Sequence, residues 1–399
     1  MAETRKASRF IVPVAVAGVA AATIGLVPAL AASGDPDLPD ITAQQLIEKI
    51  AASDTQTLSG TFKISTDLGL PSLGGLASGL GGLGGDGGSS SADPSEKLTE
   101  LVSGSHTLRV AADGPERQRL TLLDGSDEYS LIHNGDDVWA YDSKSNEAFH
   151  EKDASSGAPG ASEEDRKLPG TPKELADEVL KAAGDTTSIT VGGTAKVAGR
   201  DAYQLVIKPK QAGSTVESVK IAVDAANGTP LKFTLSSVEG GKPVVDAGFT
   251  KVDFGKPAAS EFTFEAPEGA KVTEGAAEKA AESGDDLPEG FEEGFPGLGK
   301  GLGKGFGEDF GKDGGFNVIG EGWTTIATFD TGAPAPGTDE APKEIQGFLD
   351  SFGDKVTGKF GSGTVFKTKL VNALLTDDGK VYVGAVTKDA LVDAANAAK

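Results

Sequence analysis

Tyr203-Gln204-Leu205-Val206-Ile207, Val219-Lys220-Ile221-Ala222-Val223 and Leu231-Lys232-Phe233-Thr234-Leu235 place an apolar residue at every second position. A period of two sends alternate side chains to opposite sides of an extended chain, so each segment predicts a β-strand with one apolar face. Short runs rich in Gly, Asp, Asn and Pro, such as Asn227-Gly228-Thr229-Pro230, separate the segments and supply turns.

The pattern continues in both directions. Upstream it runs through Phe62 and Ile64, Leu108 and Val110, Leu120 and Leu122, Leu131, Val138 with Trp139, and Tyr141; downstream it runs through Val245, Ala247 and Phe249, then Phe262 and Phe264. Two helical segments accompany it. Residues 40–53 carry the apolar stripe Ile41, Leu46, Ile47 and Ile50 behind a possible cap at Asp40 or Thr42. Residues 171–183 open on Thr171-Pro172, a cap followed by proline at the first helical position, and carry Leu175, Val179 and Leu180. The expected fold is therefore mainly β within an α+β chain. It is an incomplete, curved antiparallel β-barrel, a half-barrel with helices packed in or over its concave face.

Such a face can be hidden by filling it with side chains or by leaving a cavity for an apolar occupant, and alternation alone does not decide between them. The residues expected to line a cavity are Phe62, Ile64, Leu108, Val110, Leu120, Leu122, Leu131, Trp139, Tyr203, Leu205, Ile207 and Phe233. Each CH2 removed from water contributes about 0.8 kcal/mol, so one acyl chain would bind usefully without any catalytic group.

Two stretches interrupt the strands. Residues 69–88 hold 10 glycines in 20 positions, within a Gly-rich insert spanning 69–95, and 275–315 hold 13 in 41. Gly is unfavourable in a helix by about 1 kcal/mol relative to Ala, which fits linkers. Bulky residues nevertheless recur through both, so Leu70, Leu73, Leu76, Leu80, Phe291 and Phe295 are candidate gate residues. The domain reading is an N-terminal segment 1–31, a half-barrel 40–273, an acidic Gly-rich linker 274–315 and a small α+β unit 316–399. In that last unit a strand is expected at 323–329, a helix at 342–352, a hairpin of 365–376 with 380–386, and a closing helix at 388–398.

Composition narrows the function. Arg5, Lys6 and Arg9 precede an uncharged run from 10 to 30, and Ala29-Leu30-Ala31 offers a small-x-small cleavage site, the order of a secretory signal. The run is long enough to serve instead as a retained anchor. Either reading places the rest of the chain in the extracytoplasmic cell envelope, secreted or tethered to the outer face of the plasma membrane. There is no cysteine, hence no disulfide, thiol nucleophile or lipidated N-terminal cysteine. Sixty Asp and Glu against 37 Lys and Arg give a net charge of −23, which argues against nucleic acid as a partner. GxSxG, SxxK, P-loop and HExxH motifs are absent, and His106, His133 and His150 fall in separate strands, so neither an enzyme nor a metal site or cofactor is expected.

A resemblance adds to this reading. Leu58-Ser59-Gly60-Thr61-Phe62, the run from Asn134-Gly135-Asp136 to Tyr141-Asp142, Val197-Ala198-Gly199-Arg200 leading to Tyr203-Gln204-Leu205, Ile221-Ala222-Val223-Asp224 with Gly228-Thr229-Pro230-Leu231, and Phe262-Thr263-Phe264-Glu265-Ala266-Pro267 occur in an order that resembles the LolA/LolB/RseB-like lipoprotein-carrier superfamily, related to the LppX/LprG lipid carriers, over about residues 40–273. The resemblance implies a half-barrel over helices with a cavity for acyl chains. It also implies a monomer whose partner is a lipid or acylated protein, or, in RseB-like members, a membrane protein such as an anti-sigma factor. The arginine-proline pair of the lipoprotein carrier is replaced by Ala112-Asp113-Gly114-Pro115, with Arg117 and Arg119 displaced, so the carrier's lid contact does not transfer.

Overall fold

The computed structural model describes residues 35–69, 104–152, 172–274, 317–330 and 353–398. The N-terminal segment, the Gly-rich insert beyond Gly69, the linker beyond Glu274 and the helix expected at 342–352 lie outside these residues.

Alternation does produce strands. β1 (Thr57–Thr66), β2 (Gly104–Asp113), β3 (Arg117–Asp124), β4 (Asp127–Asn134), β5 (Asp137–Asp142) and β6 (Glu147–Glu151) form a meander. β7 (Thr187–Val197), β8 (Arg200–Pro209), β9 (Val216–Asp224), β10 (Pro230–Ser237) and β11 (Val245–Asp253) form a second, and β11 returns to pair with β1. With β12 (Lys271–Glu274) the order is β12-β6-β5-β4-β3-β2-β1-β11-β10-β9-β8-β7, a twelve-stranded sheet not closed into a barrel. Only the β12–β6 pair is parallel. Irregularities in register at Thr61/Phe62, Val191/Thr194, Pro230/Lys232 and Ser236/Ser237 bend the strands. The mainly β half-barrel expected from the alternation is thus the fold observed.

Helix α1 (Ala43–Ala51) begins at Thr42, whose side chain accepts from the Gln45 amide while the Gln45 side chain accepts from the Thr42 amide, a capping box. Its Leu46 and Ile47 are buried against Tyr203, Leu205 and Val223. Helix α2 (Pro172–Ala183) packs beside α1 and adds Leu180 to this core. Both helices lie on one side of the sheet, at the β7–β9 end; this side is termed the helix face.

The opposite side carries the chain that follows β11. Residues 259–262 form a 3-10 turn in place of the strand expected at Phe262 and Phe264, and the chain crosses β3 and β4 as a strap. Phe262 is 1% exposed, and Phe264 stands 5.3 Å from the Trp139 ring and 5.4 Å from Tyr141. These two phenylalanines alternate because they cover a sheet, not because they belong to one. The strap ends in β12, where His150 faces Glu274 at 3.0 Å through Nδ1 and Asp137 at 2.9 Å through Nε2 while stacking on Trp139 at 3.9 Å.

The C-terminal unit is a six-stranded sheet of β13 (Asn317–Ile319), β14 (Ile326–Asp330), β15 (Gly353–Gly358), β16 (Gly361–Phe366), β17 (Asn372–Thr376) and β18 (Lys380–Gly384), with helix α3 (Lys388–Ala397) packed on it. The segment read as a strand at 323–329 begins instead with a 3-10 turn, and the long strand at 365–376 is two strands separated by a loop at 367–371. That loop and the 211–215 connection join the two sheets. The Thr215 amide donates to Ala385 O at 2.9 Å, its hydroxyl donates to Leu370 O, and the Thr387 amide donates to Gly213 O at 2.7 Å. The Trp323 indole donates to Thr187 Oγ1 at 2.7 Å, and Lys369 pairs with Asp67 at 2.6 Å.

Two residues test how the β9–β10 turn supports α1. Asp224 is 1% exposed, accepts from Arg200 Nε at 2.6 Å and Nη2 at 3.1 Å, and accepts from the amides of Ala226 and Asn227. Burial opposes its ionisation, but these hydrogen bonds outweigh burial and hold its carboxyl below the usual range. Its stabilisation is therefore complete above the unfolded-state value of about 4 and is lost as pH falls through the lower folded-state value. Asp224→Asn should cost about 2 kcal/mol in urea unfolding at pH 7, and the gap to wild type should close below about pH 4. Gly228 has φ +77°, and a Cβ there would lie 2.2 Å from the Lys49 carbonyl oxygen of α1. Gly228→Ala should destabilise the chain by about 2 kcal/mol or more, with hydrogen exchange accelerated in α1.

Candidate functional site

Residues directly opposite one another in an antiparallel ladder share a face, so register assigns each candidate to a side. Phe62 faces Leu108, which faces Leu122; Val110 faces Leu120, which faces Leu131. Ile64 follows Phe62 on the same side of β1. Across β11, Phe62 meets Phe249 edge-on at 5.1 Å, and Ala247 leads to Phe233, Ile221 and Leu205 in successive strands. Eleven of the twelve expected lining residues therefore stand on the helix face. Trp139 does not: it faces Ile132 and His150, on the side crossed by the strap, and is removed from the set. Adjacent apolar residues Val138 and Trp139 made its side ambiguous in the sequence, and the pairing of Leu131 with Ala140 resolves it.

The eleven form two groups. Tyr203, Leu205 and Ile207 are packed beneath α1 and α2, and the Tyr203 hydroxyl donates to Pro39 O at 3.0 Å. This end is a filled core. Among the described residues the helices pack on β7, β8 and β9, through Ile189, Tyr203, Leu205, Ile221 and Val223. Beyond them, Leu108 and Leu122 are buried, Phe62, Ile64, Val110, Leu120 and Leu131 are half-buried, and Phe233 is 37% exposed. Phe249, Phe149 and Leu235 extend the same surface. Their alternation was visible in the sequence, but which members lie beyond the helices depends on where α1 docks. The candidate gate residues Leu70, Leu73, Leu76, Leu80, Phe291 and Phe295 lie outside the described residues; the insert that holds the first four leaves the sheet at the Thr66–Gly104 end of β1 and β2.

The strap side has a different chemistry. A groove of about 620 Å³ lies between the strap at Pro257, Ala258 and Glu261 and the strands below, where Thr61, Arg109, Ala111, Arg119, Thr121 and Lys251 project. Arg119 is fixed by donating to Thr121 Oγ1, Ser130 Oγ and Glu261 O, each at 3.3 to 3.4 Å. No local pattern marks this groove, because charged residues on the polar side of an amphipathic strand read as solvated. Among the described residues no three His, Cys, Asp or Glu side chains are placed to hold a metal ion.

No curated protein matches the chain. Among solved structures, the MucA/MucB complex of Pseudomonas aeruginosa aligns at 16% identity and TM-score 0.37, covering 88% of this chain and 96% of that one. A LolA superfamily protein from Nitrosomonas europaea aligns at 12% identity and TM-score 0.20, covering 56% and 99%. The family model described as the MucB/RseB N-terminal domain matches residues 98–267, which span β2 to β11 and the strap. The matched residues 98–267 are thus similar to the MucB/RseB N-terminal domain, and they fall within the segment 40–273 that resembles the LolA/LolB/RseB-like superfamily.

Proposed function

We propose that this chain is an extracytoplasmic binding module, not an enzyme, that holds an acyl chain or similar apolar group of a lipid or acylated protein on the helix face of its sheet. One observation carries the reading: the apolar face continues well past the two helices. Phe62, Ile64, Val110, Leu120, Leu131 and Phe233 remain half-buried or exposed there. Fully burying a large apolar side chain is worth about 1.5–3 kcal/mol, so each half-covered one retains about 1 kcal/mol for an occupant. Six together supply about 6 kcal/mol, and each CH2 of the ligand that leaves water adds about 0.8 kcal/mol to set against the cost of association. These residues, with Leu108 and Leu122 as the floor, are the proposed ligand-binding set. Export through the N-terminal segment would place the module outside the cytoplasm.

A second reading is favoured by the family match. It makes the chain an RseB-like sensor that binds the extracytoplasmic part of a membrane protein such as an anti-sigma factor. Pull-down from envelope extracts separates the two, because a sensor retains a membrane protein after delipidation and a carrier does not.

Titration with a fluorescent fatty acid tests the first reading. Wild-type chain should bind it with saturable affinity, and Phe233→Gln and Val110→Thr should each weaken binding by about fivefold, the loss of roughly 1 kcal/mol of apolar contact. Both positions are only partly buried, so unfolding midpoints should stay within about 1 kcal/mol of wild type. Absence of saturable uptake, or equal affinity in both variants, contradicts the assignment.

A further inference from the structure

The strap side carries a second site, distinct from the apolar face. One row crosses the sheet in register: Lys251 of β11 faces Thr61 of β1, Thr61 faces Arg109 of β2, and Arg109 faces Thr121 of β3. Arg119, also of β3, lies on the same side and is held against the strap. Thr121 is itself buried and hydrogen-bonded to Ser130 at 2.9 Å, so the end of the row is fixed. Lys251 and Arg109 are exposed and have no ion-pair partner among the described residues. Lys63 of β1, opposite Thr107, stands one step along on the same side, also exposed and without such a partner.

Three unpaired cations on adjacent strands stand out in a chain of net charge −23. Acidic residues do line the groove, namely Glu128, Asp253 and Glu261, but they flank this central row. Asp253 is partly engaged, accepting from the Gly255 amide at 2.6 Å.

The groove crosses β11, β1, β2, β3 and β4, four strand spacings or about 19 Å, which is the length of about six extended residues. Lys251 and Arg109 are two spacings apart, about 9.5 Å, close to three residues of a polyproline II chain at about 3.1 Å each, whose threefold repeat brings residues i and i+3 to the same side. Hydroxyls of Ser59, Thr61 and Thr121 line the floor of the groove, suited to backbone amides and carbonyls. Apolar lining is confined to small or compact residues such as Ala111, Pro257 and Ala258, so bulky side chains gain little here.

We propose that this groove binds an acidic peptide segment of a partner protein in the polyproline II conformation, with carboxylates three residues apart pairing with Lys251 and Arg109 and with Arg119 positioned by the strap. A single phosphate or a lipid headgroup would not use cations spaced in this way, and the overall negative charge opposes an anionic membrane.

The test uses the full chain and fluorescein-labelled hexaglutamate, read by anisotropy at low salt. Hexaglutamine, inorganic phosphate and phosphatidylglycerol vesicles are the comparison arms. Hexaglutamate should bind, at least tenfold more tightly than hexaglutamine, and affinity should fall as NaCl rises toward 0.5 M. The double variant Arg109→Gln/Lys251→Gln should lose at least tenfold in affinity. The control Lys355→Gln/Lys359→Gln, on the C-terminal unit, should keep it. Both changed residues of the test variant are exposed, and its unfolding midpoint confirms that the fold is intact. Unchanged hexaglutamate binding in the double variant overturns the proposal. So does equal binding of hexaglutamine, or binding of phosphate or vesicles in place of the peptide.

Discussion

A twelve-stranded antiparallel sheet exposes more apolar surface on one face than two short helices can cover. That mismatch organises the molecule. Leu46 and Ile47 of α1 close over Tyr203, Leu205 and Val223, and Leu180 of α2 completes the core at this end. The register then carries the same face through Phe233 and Phe249 to Phe62, Leu108 and Leu131, past the reach of either helix. A period of two cannot stop being apolar where the covering helices stop. Among the described residues this surplus surface has no cover, and it is the surface proposed to hold an apolar ligand.

The two sides of the sheet differ in character because the chain covers them differently. The helix face is hydrophobic and only partly covered. The other side is crossed by the strap, which buries Phe262, sets Phe264 against Trp139 and Tyr141 and leaves a polar groove at its near end. His150, between two carboxylates and against the Trp139 ring, fastens the far end. The C-terminal sheet grips the 211–215 connection and, through Lys369, the root of the Gly-rich insert at Asp67 and Leu68. The insert therefore leaves the sheet at a point held by both units.

Much of this was legible in the sequence, and the misses have physical causes. Strand positions and the two helices followed from periodicity and from the Thr42 and Pro172 helix starts. Phe262 and Phe264 alternated like a strand because a strap lying on a sheet also buries alternate residues. Trp139 was placed on the wrong side because Val138 and Trp139 are both apolar and parity was ambiguous. Tyr203, Leu205 and Ile207 lie on the apolar face, and no local signal tells a helix-covered part of that face from an open one. That distinction depends on contacts more than 150 residues apart, such as Tyr203 with Pro39. The groove was invisible for the same reason, since Lys251 and Arg109 become neighbours only when β11 pairs with β1.

Native mass spectrometry of the chain purified under mild, detergent-free conditions tests the central claim most directly. The account predicts a fraction of molecules carrying a discrete adduct of lipid mass, which organic extraction releases and which Phe233→Gln reduces. A single ligand-free mass under those conditions, unchanged after incubation with phospholipid or fatty acid, would contradict it.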